Sequence, residues 1–172
     1  MLKRKAYDKL SDWKKQKNKK ALCITGARQI GKTTLIREFA KNNYANFVEI
    51  NFITDDGAAD IFSGSLDADT LITNITAFTR KSLVEGDTLV LFDEIQQCPN
   101  ARTAIKFLVE DGRFDYVESG SLLGVGYNHV KSFPVGFEEI YRMYPMDFEE
   151  YLWANGVQNS TIDYLKECFE NT

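Results

Sequence analysis

The stretch Gly26-Ala27-Arg28-Gln29-Ile30-Gly31-Lys32-Thr33 has the spacing G-x-x-x-x-G-K-[ST]. It lies between a short apolar run, residues 21–25, and residues 35–40, whose apolar side chains fall on one helical face. A strand, a glycine-rich turn and a helix in this order direct backbone N–H groups toward the amino end of the helix, where anions bind. The stretch therefore predicts a phosphate-binding loop, in which Lys32 reaches the terminal phosphates and the Thr33 hydroxyl binds Mg²⁺.

A second apolar run, residues 89–92, is followed by the carboxylates Asp93 and Glu94. Consecutive apolar residues need cover on both faces, which favours a central strand of a parallel sheet, and ligands gather beyond the carboxyl ends of such strands. We therefore expect Asp93 to hold Mg²⁺, directly or through water, and Glu94 to polarise an attacking water.

The residues around Asp93 argue against a GTPase. Such a protein is expected to have Asp-x-x-Gly at this strand and Asn-Lys-x-Asp for guanine. This segment reads Asp93-Glu94-Ile95-Gln96, and the only Asn-Lys pair continues as Asn18-Lys19-Lys20-Ala21.

The remaining patterns alternate between strands and helices, which predicts a parallel sheet flanked by helices and joined by right-handed crossovers. A helix around Leu71, Ile75 and Phe78 has Asp67 or Asp69 as its expected cap. The predicted strands are 21–25, 46–52 near a sheet edge, 88–93, 116–119 and 138–143; a further helix starts at Pro99-Asn100, with Asn100 as cap, and stops at Gly112.

The fourth predicted strand ends in Ser119-Gly120-Ser121. In this architecture it would lie between the strand before the phosphate-binding loop and the acidic strand. A hydroxyl there can orient the attacking water or contact the terminal phosphate. An ordinary turn from strand to loop remains the alternative.

Length and composition indicate one compact domain. The chain has 172 residues, of which 44% are hydrophobic and 27% charged, as is usual for a globular protein. No apolar run approaches the ~18 residues that span a bilayer, and the basic N-terminus lacks the apolar core of a signal peptide. We expect a cytoplasmic protein without membrane contact.

Charge is distributed unevenly along the chain. Residues 1–32 carry a net charge of +9, and residues 33–172 carry −13. The basic segment could touch nucleic acid, but Leu2, Ala6, Leu10 and Trp13 mark an apolar helical side, so a solvated helix face is the favoured interpretation. The acidic total argues against a dedicated nucleic-acid surface.

The three cysteines are Cys23, Cys98 and Cys168. Their odd number and wide spacing match neither a zinc pattern nor a disulfide framework. We expect Cys23 to serve packing in the first strand.

Together these motifs resemble the AAA+ ATPases, within the additional-strand class of P-loop NTPases whose metal-binding acid is followed by a catalytic glutamate. More narrowly they resemble a prokaryotic AAA family, through residues 26–34, Leu91-Phe92-Asp93-Glu94-Ile95-Gln96, residues 119–121 and Tyr144-Pro145-Met146-Asp147-Phe148-Glu149-Glu150. The resemblance runs from about Arg4 to Trp153.

The resemblance implies a three-layer α/β/α fold with a five-stranded parallel sheet of order 5-1-4-3-2, and Mg-dependent ATP hydrolysis. It places Glu94 as the catalytic base, with Lys32 on the phosphates, Ser119 or Ser121 as sensor, and Thr33 and Asp93 on the metal. The residues assigned to ATP are Gly26, Ala27, Arg28, Gln29, Ile30, Gly31, Lys32, Thr33 and Thr34. Besides ATP, a second copy of the chain and an unidentified protein are candidate partners.

Two departures from the family pattern bear on activity. Members usually continue into a helical lid and a C-terminal domain similar to restriction endonucleases, so residues 1–150 are expected to form the nucleotide-binding core and 151–172 the start of a truncated lid. Members also often have a Gly-Arg pair before the last strand, where this chain has Gly136-Phe137. Candidate arginines for the transition state are Arg142, Arg113 and Arg102, and slow hydrolysis is expected.

Two other function classes stay open. A small-molecule phosphotransferase would need a second substrate pocket and an arginine-rich lid, whereas residues 122–136 hold only Lys131 and His129 as basic residues. A non-catalytic scaffold would bind ATP only to order a partner surface.

Overall fold

The computed structural model describes residues 2–121 and 134–170. Most of the segment 122–136, where a phosphotransferase would need its arginine-rich lid, therefore lies outside the described residues. Within the described ranges, no helix combines the length and the apolar character required to cross a bilayer.

The chain is an α/β protein built on five parallel strands in the order β2-β3-β4-β1-β5. This is the predicted order 5-1-4-3-2 read from the opposite edge, so the predicted fold class is confirmed. The strands are β1 (Ala21–Gly26), β2 (Asn46–Asn51), β3 (Thr88–Asp93), β4 (Asp115–Ser121) and β5 (Glu138–Arg142). The helices are α1 (Lys5–Lys14), α2 (Lys32–Asn43), α3 (Ala68–Thr79), α4 (Pro99–Asp111), α5 (Phe148–Ala154) and α6 (Asn159–Glu170), with 3₁₀ helices at Ala58–Phe62 and Ile95–Gln97.

Two apolar layers cover the sheet. Along β3, Leu89 and Leu91 face one core with residues of α1 and α2, whereas Val90 and Phe92 face the other with residues of α3 and α4. Every residue of β1 and β3 is buried. This two-sided burial explains why both strands read as continuous apolar runs rather than as alternating patterns.

Helix ends follow the predicted signals with one exception. Asp67 caps α3 by accepting a hydrogen bond from the Thr70 amide, and Gly112 ends α4 at φ 74°. Asn100 is not a cap, because α4 already begins at Pro99 and Cys98 precedes it. Proline suits the first helical position, where its missing N–H costs no hydrogen bond.

The basic N-terminal segment is paired with the acidic remainder of the chain. Helix α1 buries Ala6, Leu10 and Trp13, as predicted. Its polar side is more than a solvated face, because Lys5 and Lys9 reach carboxylates far along the chain, as does Lys19 beyond the helix. These ion pairs are Lys5–Asp147 at 2.7 Å, Lys9–Glu139 at 2.5 Å and Lys19–Asp115 at 2.6 Å. The uneven charge distribution is therefore partly compensated within the molecule.

Candidate functional site

The predicted phosphate-binding loop joins the carboxyl end of β1 to the start of α2. Gly26 lies so near the end of β5 that an added Cβ would stand 2.4 Å from the carbonyl oxygen of Met143. Gly31 precedes α2 with φ 91°, a conformation that other residues adopt only with strain. Glycine is favoured at the two positions for different reasons. At Gly26 the backbone of β5 approaches closely, and at Gly31 the backbone conformation is the cause.

Lys32 is folded back over its own loop. Its side chain is buried, and Nζ donates to the carbonyl oxygens of Gly26 at 3.1 Å and Ala27 at 2.7 Å. Burial lowers the pKa of Lys32, although the charges of Glu94 and Asp93 act in the opposite direction. The ammonium group is therefore held in the loop by two neutral carbonyl groups, which only weakly offset the cost of burying its charge. An anion could replace them.

Asp93 collects hydroxyl and amide donors from three other elements. Its carboxylate accepts from Thr33 Oγ1 at 3.1 and 3.2 Å, from Asn51 Nδ2 at 2.9 Å and from the Ser119 hydroxyl. The structure thus brings together three predicted site residues, Thr33, Asp93 and Ser119. Ser119 itself is 1% exposed, and its hydroxyl is directed to Asp93.

Asn51 is a site residue that the sequence patterns did not reveal. It ends β2 and lies in register with Asp93 in the neighbouring strand. Its only sequence signal is a polar residue at the end of a predicted strand, and this signal becomes informative only when the strand order is known.

Glu94 reaches the loop because the chain turns sharply after β3. Successive side chains of a strand point to opposite faces, but Glu94 adopts the left-handed conformation, with φ 56° and ψ 45°. A cavity of about 300 Å³ is lined by Glu94 together with Arg28, Lys32 and Thr33. The Gln96 side-chain amide donates to the Glu94 carboxylate, so the predicted base is engaged by a neighbour.

Ser121 lines a different cavity beside the loop. It is paired in register with Gly26, and the cavity, of about 590 Å³, is also lined by Arg28, Arg142 and Tyr144. The structure therefore places Ser119 beside Asp93, and Ser121 in a cavity that Glu94 does not line.

The three candidate arginines occupy different environments. Arg102 is buried and pairs with Glu138 at 2.8 Å, and Arg113 pairs with Asp111 and Asp69. Arg142 is exposed, with its guanidinium carbon 5.1 Å from the centre of the Tyr144 ring. Of the three, only Arg142 lines a cavity beside the loop.

Phe137, which stands where a Gly-Arg pair was expected, lies far from the phosphate-binding loop of its own chain. Its carbonyl oxygen accepts from the Ala21 amide at 2.9 Å, at the start of β1, whereas the loop follows the end of β1. Six residues at ~3.3 Å each separate these two ends by roughly 17 Å. An arginine at position 137 would therefore not reach a phosphate in its own loop.

Arg4 is a second residue that sequence patterns missed. Its guanidinium donates to the carbonyl oxygens of Ile30 at 3.0 Å and Tyr144 at 2.7 Å, and it pairs with buried Glu150 at 3.2 Å. Arg4 thus links the phosphate-binding loop, by hydrogen bonds, to the segment between β5 and α5. No local pattern announces such a contact, because its partners lie 26 to 146 positions away.

An apolar cleft of about 530 Å³ opens on the outer side of the loop. Its lining includes Leu2, Ile30, Pro145 and Met146. The cleft shares three further lining residues with the polar cavity beside Glu94, namely Gln29, Gly31 and Thr34. A polar cavity and an apolar cleft therefore adjoin the same short loop.

Comparison with known proteins agrees with this arrangement. No curated protein matches the chain in sequence. A family model described as an AAA domain matches residues 18–152, which include the loop, the acidic strand end and all five strands. With more than half of its length matched, the chain belongs to the AAA domain family, a family of nucleotide-binding, ATPase-like proteins.

Proposed function

We propose that the chain binds ATP together with Mg²⁺ and hydrolyses it. The observation that carries this proposal is the contact of Thr33 with Asp93, together with a cavity that Thr33 lines with Lys32 and Glu94. A hydroxyl and a carboxylate for a metal, an ammonium group for phosphate and a carboxylate for water are the parts that phosphoryl transfer to water requires.

The donor set fits Mg²⁺. Thr33 Oγ1 and the Asp93 carboxylate are hard oxygen ligands whose atoms lie 3.1 and 3.2 Å apart, and Mg²⁺ prefers such ligands while keeping several waters. When bound, the ion would neutralise negative charge on the phosphates. Asn51 and Ser119 hold the Asp93 carboxylate in one orientation, so we assign Ser119 a positioning role through Asp93.

The loop and Lys32 bind the phosphates. The backbone N–H groups of the loop, residues 26–34, form the cradle, and Lys32 exchanges its carbonyl partners for phosphate oxygens. Glu94 accepts a proton from the attacking water once its carboxylate leaves Gln96. The apolar cleft beside Ile30 and Met146 is suited to the flat face of the adenine base, since it adjoins the outer side of the loop.

A phosphotransferase is the second candidate, on one observation. The cavity next to the loop carries the basic residues Arg28 and Arg142 and the Ser121 hydroxyl, which could receive an anionic second substrate. Phosphate release measured with and without small anionic acceptors separates the two functions. Transfer to an acceptor in place of release to water would favour this candidate.

The test of hydrolysis is Glu94→Gln. The amide keeps the shape of the side chain but cannot accept the proton, so turnover should fall by ~10²-fold or more, the usual scale for a general base, while ATP binding remains. Phosphate release and titration of a fluorescent ATP analogue measure the two properties. Glu85→Gln, a matched change at an exposed residue, should alter neither. Parental turnover in Glu94→Gln would show that the carboxylate is structural.

A further inference from the structure

A cluster of polar side chains lies inside the sheet, apart from the predicted nucleotide site. Cys23 of β1 is paired in register with Glu118 of β4, and Glu138 begins the adjacent strand β5. The Cys23 sulfur and one carboxylate oxygen from each glutamate all lie within 4.8 Å of one another. Three strands therefore direct one potential metal ligand each to a common point.

Glu118 is the unusual member of this cluster. It is 0% exposed, and neither of its carboxylate oxygens has a hydrogen-bond partner among the residues that the structure describes. The guanidinium of Arg102 donates instead to Glu138, at 2.8 and 3.2 Å. A buried carboxyl group without a partner is costly, so its presence points to a group that it can bind.

A divalent cation would balance the charge of the cluster. Cys23 and Glu118 would bind it in their charged forms. Three anionic ligands would then face Arg102 and the ion, which together carry the same amount of positive charge.

The ligand types select the metal. A thiolate with two carboxylates suits Zn²⁺, whereas Mg²⁺ and Ca²⁺ prefer oxygen ligands alone. Bonds of ~2.0–2.3 Å place the ligand atoms of tetrahedral Zn²⁺ roughly 3.3–3.7 Å apart. The three ligand atoms lie at most 4.8 Å apart. Small rotations of the side chains would therefore bring them to these distances without a change in the sheet.

We propose that Cys23, Glu118 and Glu138 form a Zn²⁺ site with three protein ligands that joins β5 to β1 and β4. Arg102 keeps one oxygen of Glu138 and orients that carboxylate toward the ion, as outer partners of metal ligands do. The site is independent of ATP and of the magnesium ligands Thr33 and Asp93.

The direct test is titration of the EDTA-treated, dialysed chain with Co²⁺ in excess Mg²⁺, which occupies the oxygen site at the loop. We expect one Co²⁺ per chain, a thiolate-to-cobalt charge-transfer absorption in the near ultraviolet, and loss of that absorption when Zn²⁺ is added. Absence of the absorption in the parent chain would overturn the proposal, whether or not any variant folds.

Variants then locate the ligands. Cys23→Ser should abolish the absorption, and Glu118→Gln should weaken Co²⁺ binding by at least about tenfold. Cys168→Ser is the matched control, because Cys168 is exposed and outside the cluster, and it should leave binding unchanged. Circular dichroism checks that each variant is folded. An absorption that survives in folded Cys23→Ser, or that disappears in Cys168→Ser, would contradict the assignment.

Discussion

At the scale of single residues, Lys32 shows how the site is prepared for an anion. Its ammonium group contacts two carbonyl oxygens of its own loop, and burial lowers its pKa. Neutral carbonyls compensate a buried cation less well than phosphate oxygens do, because hydrogen bonds between two charged groups are stronger. Phosphate binding is thereby favoured over the self-contact.

Lys32→Ala should therefore lower the affinity for ATP sharply while the backbone cradle and the fold remain. The measurement is titration of a fluorescent ATP analogue, with thermal unfolding as the check on folding. Lys41→Ala removes an exposed lysine near the end of the same helix, α2, and should bind ATP like the parent. Equal affinities in the two variants would exclude a phosphate contact by Lys32.

Asp93 is expected to act through the metal rather than through the nucleotide. Asp93→Asn keeps the size of the side chain but removes the charge that binds Mg²⁺. ATP binding in Mg²⁺ should weaken, whereas binding in EDTA should change little. Titrations of the parent and the variant in both buffers measure this difference. A variant that weakens binding equally in Mg²⁺ and in EDTA would show that Asp93 supports the loop itself.

At the scale of elements, the approach of β5 to the loop is set by Gly26. The Met143 amide donates to the Thr25 carbonyl oxygen at 2.7 Å, and the Met143 carbonyl oxygen lies where a Cβ of residue 26 would be. The nearest contacting atom belongs to the backbone and cannot rotate away, although the next nearest, Ile30 Cδ1 at 2.8 Å, belongs to a side chain. A side chain at position 26 must therefore displace either the loop or the end of β5.

Gly26→Ala should lower the melting temperature and weaken ATP binding in the same variant. Gly64→Ala is the matched control, because Gly64 is exposed and nothing lies within 4 Å of its added Cβ. Thermal unfolding and the ATP-analogue titration measure both effects. A Gly26→Ala chain as stable as Gly64→Ala, with parental affinity, would mean that the end of β5 adjusts without strain.

The elements themselves could be predicted from the sequence because their signals are local. Apolar runs marked β1 and β3, and Gly112 marked the end of α4. The 3₁₀ helix Ala58–Phe62 was not predicted, since five residues are too few for a periodic pattern. The site was predictable where a motif fixes the spacing, as at Lys32 and Asp93. Contacts of Asn51, Gln96 and Arg4 depend on the turns and pairings of the folded chain, which no local spacing encodes.

At the scale of the whole molecule, the arginines supply little positive charge that is already fixed toward the predicted base, Glu94. Arg102 and Arg113 are engaged in ion pairs with carboxylates. Arg28 and Arg142 lie near the loop but are exposed. Electrostatic stabilisation of a transition state depends on groups that are already fixed toward the developing charge. Neither exposed side chain is held in that way by the contacts that the structure describes.

We therefore expect the isolated chain to hydrolyse ATP slowly and to bind it better than it turns it over. An arginine fixed against the transferring phosphoryl group contributes ~10³–10⁵ in rate, and a second copy of the chain could supply one. Steady-state phosphate release at several protein concentrations tests both points. Turnover should lie well below the enzyme median of ~10 s⁻¹ and rise with concentration if a second copy contributes. Arg142→Ala tests that candidate, since the rate should fall only if this arginine acts. Turnover at or above the median, unchanged on dilution, would show that one chain already holds a complete catalytic site.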